Sequence, residues 1–224
     1  KKSVTEMKKL VIFDLDGTLL NTIDDLGAAA NYALEQCGFP THQISSYPFF
    51  VGNGVKRLLE RVLPEDARTE ALAEQMRMHF MQYYDIHNVD KTVPYAGIVE
   101  LLEQLASRGV KMAVASNKYQ SAVEKLIAHY FPMVEWVAVE GQKEDVPVKP
   151  DPSIVFEILL KNPTPKAEVL YVGDSGVDME TARRACVESV GVTWGFRPVK
   201  ELQDFYADNI VNVASEILSI VDKE

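Results

Sequence analysis

Two aspartates, two positions apart, follow an apolar run near the start of the chain. Asp14 and Asp16 come directly after Leu10–Phe13, and Gly17 follows them. A short apolar run that stops at acidic residues is typical of a buried parallel strand that ends in a loop. Ligands bind at the carboxyl ends of such strands, so two carboxylates there could bind a metal ion or transfer a proton. A simple polar turn is the alternative, because aspartates often end strands.

Three later segments carry side chains that could act together with this pair. Ser116 directly follows the apolar run Val110–Ala115, and Lys149 lies in a Val-Lys-Pro-Asp-Pro stretch. Asp174 and Asp178 follow another apolar run. Each residue alone has a structural explanation, as a strand end, an exposed lysine before a helix or a turn. A cation and a hydroxyl beside several carboxylates would also suit phosphoryl transfer, in which the charge of the phosphate must be neutralised.

These four segments, in this order, resemble the four motifs of the haloacid dehalogenase superfamily. The resemblance is carried by Asp-Leu-Asp-Gly-Thr-Leu at 14–19, by Ser116, by Lys149 and by Gly-Asp-Ser-Gly-Val-Asp at 173–178. It implies an enzyme, since members of the superfamily are mostly phosphatases that use an aspartate nucleophile. The similarity runs from about Lys9 to Lys200, and several stretches are similar to phosphoglycolate phosphatase-like enzymes.

The resemblance implies a role for each acidic side chain and for the lysine. Asp14 would be the nucleophile, and Asp16 would act first as general acid and then as general base. Mg²⁺ would be bound by the carboxylates of Asp14 and Asp174 and by the main-chain carbonyl of Asp16. Asp178 would steady a bound water, and Lys149 would keep the nucleophile ionised. A few hard oxygen ligands suit Mg²⁺ better than Ca²⁺ or Zn²⁺.

Further residues are predicted to bind the substrate. Consecutive backbone amides in the loop Gly52-Asn53-Gly54 could hold an anion at the start of a helix, although the loop could also be only a turn. Lys56 and Arg57 follow, and either could bind a substrate carboxylate or be solvated. The predicted substrate-binding and phosphate-binding residues are Thr18, Ser116, Asn117, Lys118, Gly52, Asn53, Gly54 and Lys56.

The elements that must position these residues alternate between strand and helix. The strand-like apolar runs are Leu10–Phe13, Val110–Ala115, Trp136–Val139, Val169–Val172 and Ser189–Thr193. This alternation predicts an α/β fold with a Rossmann-like parallel sheet. Only helical patterns occur between about 21 and 92. The sequence therefore predicts an α-helical cap domain of residues 21–92, inserted into a core domain of residues 7–20 and 93–224.

Two local features of the predicted helices can be compared with the structure. Thr22-x-x-Asp25 has the spacing of a capping box for a helix that runs to Cys37 and stops at Gly38. Cys37 and Cys186 are 149 positions apart and fall on apolar helical faces. Such cysteines are predicted to be free, buried thiols.

Composition and charge limit the partners. The chain of 224 residues has 23 basic and 33 acidic residues and a formal net charge of -10, which disfavours binding to nucleic acid. No apolar run approaches the roughly 20 residues of a membrane span, and Lys1–Leu10 is polar rather than signal-like. We therefore expect a cytoplasmic monomer or homodimer that acts on a small phosphorylated metabolite.

The predicted function is Mg²⁺-dependent hydrolysis of a small phosphomonoester, with 2-phosphoglycolate favoured, through an aspartyl phosphate. A pyrophosphatase and a sugar phosphomutase of the same superfamily are alternatives, although such mutases typically carry a cap histidine that 21–41 lacks. A phospho-receiver signalling module is the non-enzyme alternative, but it would need neither the second carboxylate nor a cap. Asn21-Thr22 stands where relatives more often carry Asp-Ser, and Ser116 where they often carry Thr, which leaves the substrate open.

Overall fold

Six parallel strands form one sheet at the centre of the protein, in a computed structural model that describes residues 7–223. Residues 1–6 and Glu224, the last residue of the predicted core domain, lie outside the described residues. In chain order the strands are β1 (Leu10–Phe13), β2 (Leu20–Asn21), β3 (Val93–Pro94), β4 (Lys111–Tyr119), β5 (Trp136–Gln142), β6 (Val169–Gly173), β7 (Glu188–Val192) and β8 (Asn209–Val211). The order across the sheet is β5-β4-β1-β6-β7-β8.

Helices cover both faces of this sheet. In chain order the α-helices are α1 (Ile23–Gln36), α2 (Val55–Val62), α3 (Glu70–His87), α4 (Ile98–Ser107), α5 (Gln120–Tyr130), α6 (Ser153–Lys161), α7 (Gly176–Ala185), α8 (Val199–Asp204) and α9 (Glu216–Val221). Val11 and Phe13 of β1 pack against α4, α5 and α9, whereas Leu10 and Ile12 face α6 and α7. The predicted α/β fold with a Rossmann-like parallel sheet is therefore confirmed.

The strand order places the central strand where a ligand site is expected. The chain runs outward from β1 to β4 and β5 and then returns to β6 on the other side of β1. In open parallel sheets ligands bind at the carboxyl ends of the strands, where the order reverses in this way. Residues that directly follow β1, β4 and β6 should therefore lie around one crevice.

Three helices between β2 and β3 pack around an apolar cluster that is separate from the two clusters at the sheet and also includes Ala122 of α5. Buried residues of α1, α2 and α3 join those of the 3₁₀ segment Ile44–Phe49 in one cluster, which includes Tyr47, Leu59 and Phe80. We call α1–α3 and their connections the helical unit. Its two connections to the sheet pair with each other, because β2 and β3 are antiparallel. The helical unit is therefore joined to the sheet through one narrow ribbon.

The start of α1 differs from the predicted capping box. The Thr22 hydroxyl donates a hydrogen bond of 2.6 Å to Asp16 Oδ1, and Thr22 makes no side-chain cap bond. The Asp25 carboxylate accepts from the main-chain amides of Lys91 and Thr92 at 3.0 and 2.8 Å. The prediction was wrong because both side chains have partners that are distant from the first turn. Asp25 therefore ties α1 to the segment that leads back into β3.

Other local differences have simple causes. β4 continues beyond Ala115 as far as Tyr119, and β8 has only three residues, too few for a clear pattern. Cys37 is half-buried and Cys186 is exposed, so the prediction of buried thiols was wrong. Cys186 is exposed because α7 ends before it, and it forms the left-handed C-cap with φ 59°. In the described part of the chain, none of the helices combines the length and apolar character of a membrane span.

Candidate active site

Asp14 lies at the carboxyl end of the central strand. Its side chain is buried, and its main-chain amide donates to the Val172 carbonyl at 2.9 Å, which joins the start of the loop to β6. The loop then turns at Gly17, where φ is +82°. A Cβ at Gly17 would lie 2.2 Å from Asp174 Oδ2, so a side chain there would collide with a second carboxylate. Glycine therefore permits both the turn and the close approach.

Asp174 directly follows β6 and faces the same crevice. Its Oδ2 accepts from the Phe196 main-chain amide at 2.9 Å, and its Oδ1 accepts a long hydrogen bond of 3.4 Å from Thr18 Oγ1. One carboxylate oxygen each from Asp14, Asp174 and Asp178 lies within 4.8 Å of the others. The structure therefore brings Asp14 together with two acidic residues that lie 160 and 164 positions later in the sequence.

Lys149 connects two of these carboxylates. Its Nζ lies 3.1 Å from Asp14 Oδ1 and 2.8 Å from Asp178 Oδ1, and it also donates to the Ala115 carbonyl and the Tyr171 hydroxyl. Burial alone would lower the pKa of Lys149, but Asp14 and Asp178 together raise that pKa well above its ordinary value. The buried lysine is therefore a fixed positive charge beside Asp14.

Asp178 accepts hydrogen bonds at both of its carboxylate oxygens. Its Oδ1 accepts from Lys149 and from the Tyr171 hydroxyl, the latter at 2.9 Å. Its Oδ2 accepts from the main-chain amides of Asp174 and Ser175 at 3.1 and 3.3 Å. Both oxygens are therefore occupied, although Asp178 lies close enough to count among possible metal ligands. Its geometry suits a residue that orients Lys149 and Asp174 rather than one that binds an ion directly.

Asp16 lines the same crevice and contacts residues that lead to the helical unit. Its Oδ1 accepts from Thr22 and lies 3.0 Å from Lys118 Nζ, whose side chain is buried. The Lys118 ammonium donates in turn to the Tyr84 hydroxyl on α3 at 2.5 Å. The second carboxylate of the Asp-x-Asp pair is therefore linked to the helical unit through Thr22 and through Lys118.

The electrostatics of the crevice favour an added cation. Burial, and then repulsion by Asp178, raise the pKa of Asp14 well above its ordinary value, although Lys149 opposes this effect. Burial and Asp178 likewise raise the pKa of Asp174 to about 7. Among the described residues, none donates a hydrogen bond to the main-chain carbonyl of Asp16. Two carboxylates that resist ionisation and a free carbonyl are a donor set that fits a hard divalent cation.

A small cavity joins this crevice to the helical unit. Its volume is about 50 Å³, and its wall includes Asp14 and Lys149 on the sheet side and Gly52 and Leu58 on the helical side. A volume of about 10–15 Å³ on this measure holds one water, so the cavity has room for only a small ligand. Any such ligand would contact the predicted nucleophile and the helical unit at the same time.

Comparison with known proteins identifies a family for this arrangement. Residues 11–192 match the family described as haloacid dehalogenase-like hydrolase. The chain belongs to this family. The phosphoglycolate phosphatase of Pseudomonas syringae pv. tomato is 34% identical to this hydrolase over 208 residues, which cover 88% of this chain and 74% of the relative. The phosphoglycolate phosphatase of Aquifex aeolicus is 30% identical over 222 residues, which cover 96% of this chain and 97% of the relative.

A solved structure agrees with these sequence relatives. It comes from Lactobacillus delbrueckii subsp. bulgaricus and is described provisionally as a phosphoglycolate phosphatase. It is 33% identical to the hydrolase, has a TM-score of 0.91, and the match covers 98% of this chain and 100% of that chain. The predicted superfamily, fold class and class of enzyme are therefore confirmed: the chain is a hydrolase of this family, and its matched relatives are phosphatases.

Three neighbouring residues predicted to bind phosphate line the cavity of the hydrolase. Ser116 Oγ accepts from the Lys118 main-chain amide at 3.1 Å, and all three residues 116–118 are buried. The Asn117 side chain is occupied, since its Oδ1 accepts from the Lys149 amide at 2.8 Å and its Nδ2 donates to the Lys149 carbonyl at 3.1 Å. Asn117 therefore holds the backbone of Lys149, and Lys118 is paired with Asp16.

Other predicted substrate-binding residues lie elsewhere. Gly52 and Gly54 line the cavity, but Asn53 accepts a hydrogen bond from Arg61 at 2.8 Å and is absent from the cavity wall. Thr18 is fully buried against Asp174. Lys56 is exposed and lines a separate cleft against α3 and the loop after β5. Lys56 does not reach the site because its neighbours Val55 and Leu58 occupy the inward face of α2.

Arg197 was not predicted from the sequence to belong to the site. This residue lines the cavity of the hydrolase, and its Nη2 donates to the Val51 carbonyl of the helical unit at 2.8 Å. The last apolar run predicted to be a strand, Ser189–Thr193, ends four residues before it. The available signal was the position of a basic residue in the loop after β7, at the ligand-binding edge of the sheet.

Proposed function

We propose that this hydrolase is a Mg²⁺-dependent phosphatase that hydrolyses a small phosphomonoester, with 2-phosphoglycolate as the substrate. The observation that carries the proposal is the pairing of Asp14 with the buried ammonium of Lys149, next to Asp174 and with Asp16 at the same loop. The names of the matched relatives support the choice of phosphoglycolate.

Three oxygen donors are proposed to hold the metal ion. They are the carboxylates of Asp14 and Asp174 and the main-chain carbonyl of Asp16, and Asp178 would steady a water bound there. When bound, Mg²⁺ supplies positive charge that offsets the phosphate dianion and orients it. The identity of the ion as Mg²⁺ rests on this all-oxygen donor set and on the phosphate chemistry.

Two carboxylates would divide the chemical work. Asp14 attacks phosphorus, the bond from phosphorus to the ester oxygen breaks, and Asp16 gives its proton to the departing alkoxide. Asp16, now ionised, removes a proton from the water that attacks the aspartyl phosphate, which returns the Asp14 carboxylate and releases phosphate. Lys149 keeps Asp14 ionised for the first step. Ser116 and the amides near it would donate hydrogen bonds to phosphoryl oxygens.

The helical unit is proposed to act as a cap over this site. Residues 21–92 carry it, and the ribbon of β2 and β3 is the natural place for a hinge. The cavity is walled by both parts of the protein, so closure would exclude water while the ester is cleaved. Its small volume favours phosphoglycolate over a sugar phosphate. Pyrophosphate is also small and remains the second candidate.

A panel of phosphate esters tests the function. Initial rates would be measured with Mg²⁺ for 2-phosphoglycolate, pyrophosphate, glucose 6-phosphate and β-glucose 1-phosphate. We expect the highest kcat/KM for 2-phosphoglycolate and no activity in excess EDTA. Highest efficiency on pyrophosphate, or conversion of one glucose phosphate into the other, would overturn the proposed substrate. An acyl phosphate that forms but persists for minutes without turnover would instead indicate a phospho-receiver.

A further inference from the structure

A third cation faces the cavity from the loop after β7. The same loop carries Phe196, whose main-chain amide binds Asp174 Oδ2 at 2.9 Å, so its position relative to the acidic cluster is fixed. The next residue, Arg197, has a side chain that is only 17% exposed and lies in the cavity wall with Asp14 and Lys149. A guanidinium therefore faces the cavity that holds the predicted nucleophile.

The other two cations in the cavity wall already have carboxylate partners. Lys149 is paired with Asp14 and Asp178, and Lys118 lies 3.0 Å from Asp16 Oδ1. Both ammonium groups are thus held by partners within the protein, and Lys118 also donates to the Tyr84 hydroxyl. A substrate with both a phosphate and a carboxylate would need a further positive charge.

Arg197 can supply this charge. Its Nε forms a long ion pair with Glu201, 3.8 Å from Oε2 and beyond hydrogen-bond distance, and that oxygen accepts from the Gly176 amide at 2.9 Å. Within residues 7–223, the guanidinium makes one hydrogen bond, from Nη2 to the Val51 carbonyl. An arginine side chain has five N–H donors, so most of them remain for a ligand.

A second guanidinium makes the same region more positive. Arg61 on α2 donates to the Phe50 carbonyl at 3.1 Å and to Asn53 Oδ1 at 2.8 Å, so both arginines bind the loop 50–53. Burial, and then the charge of Arg197, lower the pKa of Arg61. A Cβ at Gly52, between these contacts, would lie 3.6 Å from Arg197 Nη2. An anion near Gly52 would therefore relieve repulsion between two like charges.

We propose that Arg197 binds the carboxylate of the substrate and thereby selects phosphate esters of small hydroxy acids over esters of uncharged alcohols. This inference rests on the proposed function and assigns its specificity to one residue. The planar guanidinium matches a carboxylate with two parallel hydrogen bonds, which a lysine cannot provide. The bond to Val51 orients the guanidinium and joins substrate recognition to the helical unit.

Binding of two phosphonates separates this role from general effects on the site. Phosphonoacetate carries a phosphonate and a carboxylate, whereas methylphosphonate lacks the carboxylate. Affinities for both would be measured by calorimetry with Mg²⁺, so that turnover is not required. The proteins compared would be the wild type, Arg197→Gln, Arg197→Lys and Lys200→Gln, the last changing an exposed lysine on α8 three positions after Arg197.

We expect the wild type to bind phosphonoacetate more tightly than methylphosphonate. Arg197→Gln should weaken the binding of phosphonoacetate about 10- to 100-fold, as expected for loss of charge-assisted hydrogen bonds. The affinity for methylphosphonate should change by less than about 3-fold. Arg197→Lys should restore part of the difference, because it keeps the charge but not the planar fork. Lys200→Gln should behave as the wild type. Thermal unfolding would verify that each variant is folded.

Three results would overturn the inference. They are an equal loss for both ligands in Arg197→Gln, no loss for either ligand, and a wild type without preference for phosphonoacetate. An equal loss would mean that Arg197 only holds the loop at Val51. The ester panel is independent of this outcome. If the protein hydrolyses phosphoglycolate but its preference for phosphonoacetate does not depend on Arg197, only the inference about Arg197 is wrong. If binding shows that preference but phosphoglycolate is not hydrolysed, only the proposed function is wrong.

Discussion

The acidic cluster depends on one shared ammonium. Lys149 is buried and pairs with Asp14 and Asp178, while the third carboxylate, Asp174, has hydrogen-bond donors but no ion-pair partner recorded among the described residues. Burial, and then the surplus of negative charge that three carboxylates leave around one ammonium, raise the pKa values of Asp14 and Asp174. The residues therefore form a site that needs further positive charge before a phosphate can approach.

The nucleophile assignment can be tested at this scale. In Asp14→Asn the side chain keeps its size but loses the carboxylate that would attack phosphorus, so turnover should fall by at least about 10³-fold. Acid-quenched reactions with radiolabelled substrate should trap no phosphoenzyme. Asp24→Asn changes an exposed aspartate on α1 in the same way, and it should leave turnover and the amount of trapped phosphoenzyme unchanged. Normal turnover in Asp14→Asn would contradict the assignment.

Among the elements, the ribbon of β2 and β3 and the start of α1 form the junction between sheet and helical unit. Asp25 on α1 is buried and accepts from the main-chain amides of Lys91 and Thr92 and from the Thr92 hydroxyl. The Tyr130 hydroxyl of α5 donates to the Thr92 carbonyl at 2.7 Å. The return connection is therefore held from both the helical unit and the sheet side.

Replacement of Asp25 should weaken this junction. In Asp25→Asn an NH₂ group replaces one carboxylate oxygen, so a donor would face the N–H and O–H donors of Lys91 and Thr92. This loss of hydrogen bonds should lower the free energy of unfolding by about 1–3 kcal/mol. Urea unfolding followed by circular dichroism would measure the change. Asp24→Asn again serves as the matched control, since its side chain is exposed one position away. An unchanged midpoint in Asp25→Asn would show that these hydrogen bonds are dispensable.

For the whole molecule, the sequence predicted most of the sheet and the residues at its carboxyl edge. Asp14 and Asp174 could be predicted because a parallel sheet brings strand ends together whatever their distance in the chain. The position of Lys56 outside the cavity and that of Arg197 in its wall could not be predicted. The side of a helix or loop that faces a cavity depends on packing between two parts of the protein. Thr22 was misinterpreted because local spacing does not reveal a distant partner such as Asp16. The domain division after residues 20 and 92 stays a prediction.

Stability should depend on metal and pH together. The folded pKa of Asp174, raised to about 7, lies above the value of about 3.9 for a solvated aspartate. Without a cation, the folded state keeps a proton that the unfolded state loses, so this residue's contribution to stability falls as pH rises from about 4 to about 7. A divalent cation requires the ionised carboxylate, so its stabilising effect should increase with pH.

Thermal unfolding with Mg²⁺ and with EDTA would measure this linkage. We expect a larger difference in Tm between the two conditions at about pH 8 than at about pH 5.5, because protons compete with the metal at the lower pH. The Asp174→Asn variant should lose most of the Tm difference between Mg²⁺ and EDTA at both pH values. An equal or larger difference at the lower pH in the wild type would contradict the expectation.

The paired connections also bear on how such a protein can change over evolution. Leu20 lies opposite Pro94, so the inserted segment begins and ends on neighbouring strands, which in a sheet are about 5 Å apart. A short turn could join these two points without altering the path of any strand in the large sheet. Segments of other lengths could likewise connect these two strands and leave the strand order of the large sheet unchanged.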